Sequence, residues 1–244
     1  MRHVTLVVQY DGTDFAGFQI QPDVPTVQAE LQLALSRLLQ QPTPLSAASR
    51  TDAGVHALGQ VALFETESPI PVERLAQALN AILPRAVSIV SAAEAAEGFH
   101  PRYSAVEKLY SYRILNRWLP SPFIERYAWR VERPLVLDDI REAARGLLGE
   151  HDFASFCAAG SSVSDTVRRV HRLDVQREGD LVEFFLGGNG FLYKMVRIMV
   201  GTLVEVGLGR REPGDVERIL LGRDRNQAGR TAPAQGLTLV KVEY

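Results

Sequence analysis

The sequence of 244 residues is poor in features that would each point to a particular class of protein. It has a single cysteine, Cys157, which excludes an internal disulfide framework and a cysteine-based metal cluster and fits a reducing cytoplasm. No apolar run reaches the roughly 20 residues that a membrane-spanning helix needs. The first residues enter a strand-like pattern at once, so we do not expect a signal peptide.

Histidine is present but is not arranged for metal binding. The five histidines are scattered without the close pairing that zinc and iron sites use, so each is predicted to be structural and no metal site is expected. They are His3, His56, His100, His151 and His171.

The charge balance is unusual for a protein that binds nucleic acid. The formal net charge is −2, whereas RNA-binding proteins usually have a basic excess that neutralises phosphate. Only three of the 27 basic residues are lysines, so 24 are arginines, which contact phosphate in a planar, bidentate way and stack on bases. The net charge therefore argues against RNA binding, and the high proportion of arginine argues for RNA binding. A biased genome or a thermophilic source would give the same share.

Hydrophobic periodicity predicts a similar order of elements in the two halves of the chain. In the first half it predicts a helix after Thr26, which can cap it, and a second helix that ends before Pro84. In the second half Asp138 is predicted to cap a helix, and a hairpin turns around 178–180. The predicted strands are 4–10, 61–65, 87–90, 108–115, 167–175, 181–186 and 237–242; the predicted helices are 27–39, 72–83, 138–148, 194–206 and 215–221.

This order predicts an α+β fold. With a further short β segment before the stretch 48–60, each half follows β-α-β-β-α-β, the order of ferredoxin-like and RNA-recognition-like domains. We expect two such tandem domains, 1–103 and 104–244, which form a shared, mostly antiparallel sheet with a cleft between the halves. The boundary falls in 99–105, where Gly98 and Pro101 interrupt the pattern.

The stretch 48–60 offers the most chemistry in the fewest residues. It places a guanidinium at Arg50, a hydroxyl at Thr51 and a carboxylate at Asp52. The small residues Ala53 and Gly54 follow, so that a ligand can approach the carboxylate closely. A loop between two β segments can present such groups to a ligand. The alternative is an ordinary polar turn in which Asp52 accepts local backbone N–H bonds.

Two further polar side chains interrupt apolar elements. Tyr110 lies inside the strand that opens the second half, where it is either a cross-strand sheet tyrosine or part of a site. Arg197 lies in a strongly apolar helix, so its guanidinium must either extend to solvent or meet an anion. A pair of Asp52 and Arg197 would satisfy both charges.

The run Ser-Arg-Thr-Asp-Ala-Gly-Val-His-Ala, residues 49–57, resembles the active-site motif of the tRNA pseudouridine synthase A family. Nine consecutive matching residues are far more specific than an isolated Asp-x-Gly turn. Further similar stretches follow in collinear order over nearly the whole chain. They are 10–21, 99–105, 110–114, 149–156, 195–197 and 236–240.

The resemblance implies an enzyme, its substrate and the roles of four residues. The family isomerises uridine to pseudouridine at positions 38, 39 and 40 of the tRNA anticodon arm, as a cytoplasmic homodimer without a cofactor. The matching positions make Asp52 the nucleophile, Tyr110 the residue that stacks on the target base, and Arg197 the partner of the carboxylate. Arg50 corresponds to an arginine that helps to flip the nucleotide out of the helical stack.

Two other classes of protein fit parts of the pattern. A non-catalytic RNA-binding protein with two RNA-recognition-like domains should have several aromatic residues on each central strand, but Phe184 and Phe185 are adjacent, so only one can face RNA. A nucleotide-sensing module would need a glycine-rich phosphate loop, and 187–190 lacks the required pattern. In 13–22, Phe15 and Phe18 either contact bases or pin the loop to the core.

Overall fold

The structure is a computed structural model that describes residues 1–160 and 163–244. Within these ranges the chain forms strands β1 to β10 and helices α1 to α5, a mixed α+β fold with mostly antiparallel strand pairs. The strands are β1 Arg2–Tyr10, β2 Leu45–Ala47, β3 His56–Thr66, β4 Val87–Glu94, β5 Glu107–Leu115, β6 Trp129–Arg130, β7 Gly149–Asp152, β8 Val167–Glu178, β9 Leu181–Gly188 and β10 Leu237–Glu243. The helices are α1 Val27–Leu39, α2 Val72–Asn80, α3 Leu137–Arg145, α4 Met195–Gly207 and α5 Asp215–Gly222.

The helix limits confirm most of the sequence predictions. Helix α1 begins and ends as predicted, and the Thr26 hydroxyl accepts a hydrogen bond from the Ala29 N–H at 3.4 Å. The prediction that Asp138 caps α3 is wrong, because the N-cap is Val136 and Asp138 lies in the first turn. A carboxylate there still interacts favourably with the helix dipole. Helix α2 ends three residues before the predicted Leu83.

The first compact unit consists of 1–106 together with 238–244. Its strands run in the order β4-β1-β3, and β2 pairs with β3 on the side away from β1, which is the strand order of a ferredoxin-like domain. Strand β10 pairs in parallel with the beginning of β3, where Thr238 lies opposite His56. On β1 the alternating residues Val4, Leu6 and Val8 are fully buried, so one face of this strand belongs to the core.

The second compact unit consists of 107–237. Its strands run in the order β5-β9-β8-β7 with antiparallel pairing, and the two-residue strand β6 pairs in parallel with β5. Helix α4 is buried on nearly all sides, since eleven of its 13 residues are buried. A Cβ atom at Gly201 would lie 1.8 Å from the Arg230 carbonyl oxygen, so only glycine allows the segment after α5 to cross this helix.

Strands β6 and β7 were not predicted, because they have two and four residues and show no measurable periodicity. The functional division between 1–103 and 104–244 stays a prediction. Even α4, the most apolar helix, has only 13 residues, and nowhere in the described ranges does a helix combine the length and apolar character needed to cross a bilayer.

Candidate active site

The loop 48–55 connects β2 to β3 and carries Asp52. A buried amide holds its first residues: the Gln60 side chain accepts a hydrogen bond from the Ser49 N–H at 3.1 Å and donates one to the Ser49 carbonyl at 2.7 Å. The Ala48 N–H also bonds to the Val61 carbonyl at 2.9 Å. Residues of β3, the strand that follows the loop, therefore fix the direction in which the loop leaves the sheet.

The three polar side chains of the loop have different environments. The Thr51 hydroxyl is buried and lies 2.7 Å from the Tyr10 hydroxyl, so it anchors the loop to β1. Arg50 on one side is exposed, and Asp52 on the other is half-buried. The buried threonine thus fixes the backbone between two charged groups that remain accessible to a ligand.

A second loop, 11–18, packs its backbone against the Asp52 loop. The Phe18 N–H donates to the Thr51 carbonyl at 3.1 Å, and the Gly54 N–H donates to the Phe15 carbonyl at 3.3 Å. A Cβ atom at Gly12 would lie 2.0 Å from the Val55 carbonyl oxygen. These contacts hold the carboxylate-bearing loop along its length and require glycine at the point of closest approach.

Gly17 is the second glycine that this packing requires. Its φ of 107° is in the region that favours glycine, and a Cβ atom would lie 2.8 Å from the Thr51 carbonyl oxygen. Gly12 and Gly17 were assigned no role from the sequence alone. Their spacing around two phenylalanines was a signal that this loop packs closely on another segment.

The aromatic side chains of this loop confirm the interpretation that they pin it to the core. Phe15 is 9% exposed and Phe18 is 2% exposed, so the alternative that they contact bases is wrong for both. Phe18 also packs against Tyr10, with ring centroids 6.1 Å apart. The exposed residues of this loop are polar, at Thr13 and Asp14.

His56, the first residue of β3, supports the same arrangement. It is buried, and its Nδ1 accepts a hydrogen bond from the Gly12 N–H at 3.0 Å. Nδ1 also lies 3.2 Å from Asp11 Oδ1, but an atom that accepts the Gly12 proton has no proton of its own to donate there. We therefore treat the backbone bond as the defining contact, which supports the prediction of a structural histidine.

In the second unit, Tyr110 is buried in the middle of β5. It pairs with Leu186 of β9, and its ring meets that of Phe191 edge to face, with centroids 5.3 Å apart and an interplanar angle of 87°. Phe191 therefore sets the orientation of the Tyr110 ring. The role of Tyr110 as a base platform stays a prediction.

Arg197 lies on α4, half-buried, and is tied to the segment that follows α5. Its Nε donates to the Ala232 carbonyl at 2.8 Å, and its own carbonyl accepts the Ala232 N–H at 3.0 Å. Burial raises the pKa of the nearby Tyr112 phenol far above its usual range, and the positive charges of Arg197 and Arg230 partly offset this. The Tyr112 hydroxyl is thus a fixed donor, bonded to the Pro233 carbonyl at 2.8 Å.

Other candidate groups do not form a reactive cluster. Across the described residues, no three His, Cys, Asp or Glu side chains lie close enough to hold a metal ion. Cys157 is half-buried, with its Sγ 3.6 Å from the Ala158 carbonyl oxygen. The chemistry that the described site residues offer is therefore that of carboxylate, guanidinium and phenol.

Comparison with known proteins gives a consistent result over the whole chain. A family model described as tRNA pseudouridine synthase matches residues 6–104 and 143–244. The chain is 46% identical to tRNA pseudouridine synthase A of Thermoanaerobacter sp. (strain X514) and 48% identical to that of Brevibacillus brevis, over 244 residues and the full length of each. It is 48% identical to the Moorella thermoacetica protein over 241 residues, 98% of each chain.

Among solved structures, an archaeal box H/ACA sRNP Nop10-Cbf5 complex aligns with 83% of this chain and 43% of the other chain. The TM-score is 0.37 and the identity is 15%, a likeness too weak to assign the fold.

Proposed function

Because the chain belongs to the tRNA pseudouridine synthase family, we propose that it isomerises uridine to pseudouridine in tRNA with Asp52 as the nucleophile. The observation that carries this proposal is the half-buried Asp52 carboxylate on a loop held by Gln60, Tyr10 and the backbone of 11–18. A nucleophile on so constrained a loop can meet the target carbon without first being ordered. We extend the proposal to uridines 38, 39 and 40 of the anticodon arm and to a cytoplasmic homodimer.

The reaction needs one nucleophile. Uridine and pseudouridine contain the same atoms, so nothing is added to the nucleotide or removed from it. The bond between C1′ and N1 breaks, the uracil rotates, a bond forms between C1′ and C5, and the C5 proton is lost while N1 gains one. An ionised carboxylate either adds to the base or assists cleavage at C1′, and both routes use the carboxylate of Asp52. The surrounding loop orients this carboxylate in either route.

The target nucleotide must also leave the stacked helix, which costs on the order of a few kcal/mol. We propose that Arg50, exposed beside Asp52, occupies the space that the flipped nucleotide leaves. Tyr110 is proposed as the platform for the base and Arg197 as the partner of the carboxylate. The anchoring of Arg197 to Ala232 supports a positioned rather than a mobile guanidinium.

A label-release assay tests the proposal. Transfer RNA that contains uridine tritiated at C5 is incubated with the protein, and the released tritium is measured. An isomerase releases label in proportion to the pseudouridine formed, whereas a protein that only binds RNA releases none. Transfer RNAs with a single uridine at position 38, 39 or 40 then test the site specificity, and a tRNA without uridine at these positions serves as the control.

Substitutions at Tyr110 test its proposed role as a base platform. Tyr110→Phe keeps the ring and its contact with Phe191, so we expect kcat/KM within about threefold of the parent. Tyr110→Ala removes the stacking surface, and we expect a loss of about 10- to 100-fold. Single-turnover rates measure both, with circular dichroism to confirm folding. If the two variants behave alike, Tyr110 is not a stacking platform.

Substitutions at Arg197 separate its charge from its packing. Arg197→Met keeps the aliphatic volume in α4 and removes the charge, and we expect kcat to fall by about 10- to 100-fold. Arg197→Lys restores a positive charge without the Nε donor to Ala232, so it should recover part of this loss. Equal activity of the parent and the Met variant would contradict the assignment of Arg197 to the carboxylate.

A further inference from the structure

The loop 99–105 of the first unit carries an aromatic side chain that the proposed chemistry does not use. Tyr103 is 78% exposed, although tyrosine has a large apolar ring. The His100 ring lies beside it with centroids 4.4 Å apart, and the Arg102 guanidinium lies 5.8 Å from its centroid. These contacts leave most of the Tyr103 ring open.

The backbone of this loop is tightly bonded. The Ser104 N–H donates to the His100 carbonyl at 2.9 Å, and the His100 N–H donates to the Ser104 hydroxyl at 3.1 Å. The His100 Nδ1 accepts the N–H groups of Arg102 and Tyr103 at 3.1 and 3.4 Å. The exposed ring is therefore presented by a pre-formed turn, which lowers the entropic cost of binding a ligand on it.

Tyr244 packs against the turn 99–105 and supports it. Its ring packs against Phe99 with centroids 4.8 Å apart, and its hydroxyl donates to the Pro101 carbonyl at 2.9 Å. The hydroxyl is protonated and donates at neutral pH, and partial burial raises the pKa of the Tyr244 phenol further. Tyr244 therefore holds the backbone of the turn at Phe99 and Pro101.

The charge on the turn favours a polyanion as its ligand. No carboxylate of the described residues lies within ion-pair distance of the Arg102 guanidinium, whereas Arg172 pairs with Asp174 at 2.7 Å. A guanidinium next to an open aromatic ring combines a phosphate contact with a stacking surface, the two elements that bind unpaired nucleotides. An apolar protein partner would gain little from a cation that it must desolvate.

We propose that the turn 99–105 is an accessory tRNA-binding platform, on which an unstacked base packs against Tyr103 and its phosphate contacts Arg102. The proposal rests on the proposed function, because it takes the ligand to be the substrate tRNA. Tyr103 and Arg102 bind the tRNA. Tyr244 is a positioning residue that acts through Pro101 and Phe99. The platform contributes to affinity and leaves the chemical step unchanged.

Steady-state kinetics and direct tRNA binding on the full chain test the platform. For Tyr103→Ala we expect KM and Kd for tRNA to rise about 5- to 100-fold with kcat within about twofold of the parent. Tyr103→Phe keeps the ring and should stay within about twofold in all three constants. Arg102→Gln should weaken binding and reduce the slope of log K against log salt by about one.

Two further variants separate positioning from general damage. Tyr244→Phe removes only the bond to Pro101 and should raise Kd less than Tyr244→Ala does, with thermal unfolding followed for both. Val106→Ala is the matched control, since Val106 is apolar, 62% exposed and next to the turn, and its backbone bond to Glu243 is unaffected. Its KM and Kd should equal those of the parent.

The possible outcomes distinguish this inference from the function on which it rests. If the parent forms pseudouridine and Tyr103→Ala has parental KM and Kd, the platform is wrong and the proposed function stands. If the parent forms no pseudouridine, the proposed function is wrong. If, in addition, Tyr103→Ala binds tRNA with the same Kd as the parent, the platform is wrong as well. A change in sedimentation of Tyr103→Ala, with unchanged tRNA affinity, would overturn it in favour of a contact between protein chains.

Discussion

Replacement of Asp52 by asparagine is expected to lower pseudouridine formation by on the order of 10⁴-fold or more, while tRNA affinity stays within a few-fold of the parent. The amide is nearly isosteric with the carboxylate, so the loop keeps its bonds to Gln60 and to Phe18. It has no negative charge, however, and cannot act as the nucleophile. Single-turnover label release and a filter-binding Kd measure the two quantities.

Asp23→Asn provides the matched control for this substitution. Asp23 is an exposed carboxylate in the same unit, and its φ of 59° is tolerated by asparagine. The control removes the same charge from the same unit, so its turnover should equal that of the parent. Substantial pseudouridine formation by purified Asp52→Asn would exclude Asp52 as the nucleophile.

The second large effect is expected at Gly12, which carries no chemistry. In Gly12→Ala the new methyl group would lie 2.0 Å from the Val55 carbonyl oxygen, so the loops 11–18 and 48–55 must move apart. Overpacking of this kind lowers the free energy of unfolding by about 1–3 kcal/mol. Because a displacement of about 1 Å at a reacting group costs on the order of 10²-fold in rate, we expect activity to fall by a comparable factor.

Urea unfolding and kcat measured on the same preparation test the Gly12 prediction. Gly214→Ala is the control, because nothing lies within 4 Å of a Cβ atom at Gly214 and the backbone there is helical. It should change the free energy of unfolding by less than about 0.5 kcal/mol and leave kcat unchanged. A Gly12→Ala variant with parental stability and kcat would show that the two loops do not need their close approach.

Sequence alone located the catalytic candidate because the motif 49–57 is contiguous and flanked by β segments. Most of the helices and strands were also predictable, since periodicity is a property of neighbouring residues: α1 was exact, and β1, β5 and α4 were placed within two residues. The N-cap of α3 at Val136 was missed, because an aspartate is equally typical of an N-cap and of a first turn.

The packing around Asp52 was decided only by tertiary structure. Gly12 lies 44 residues from His56, and they meet because β1 pairs with β3 in the register that sets Tyr10 opposite Ala57. Strand β1 buries alternate residues, whereas β3 is buried along most of its length, so the sequence of β3 alone does not reveal which of its residues lie opposite those of β1. Likewise Arg197 and Ala232 are 35 residues apart and meet only because Gly201 lets a later segment cross α4. The sequence therefore determined which residues can react, and the packing of distant segments determined which of them are held in place.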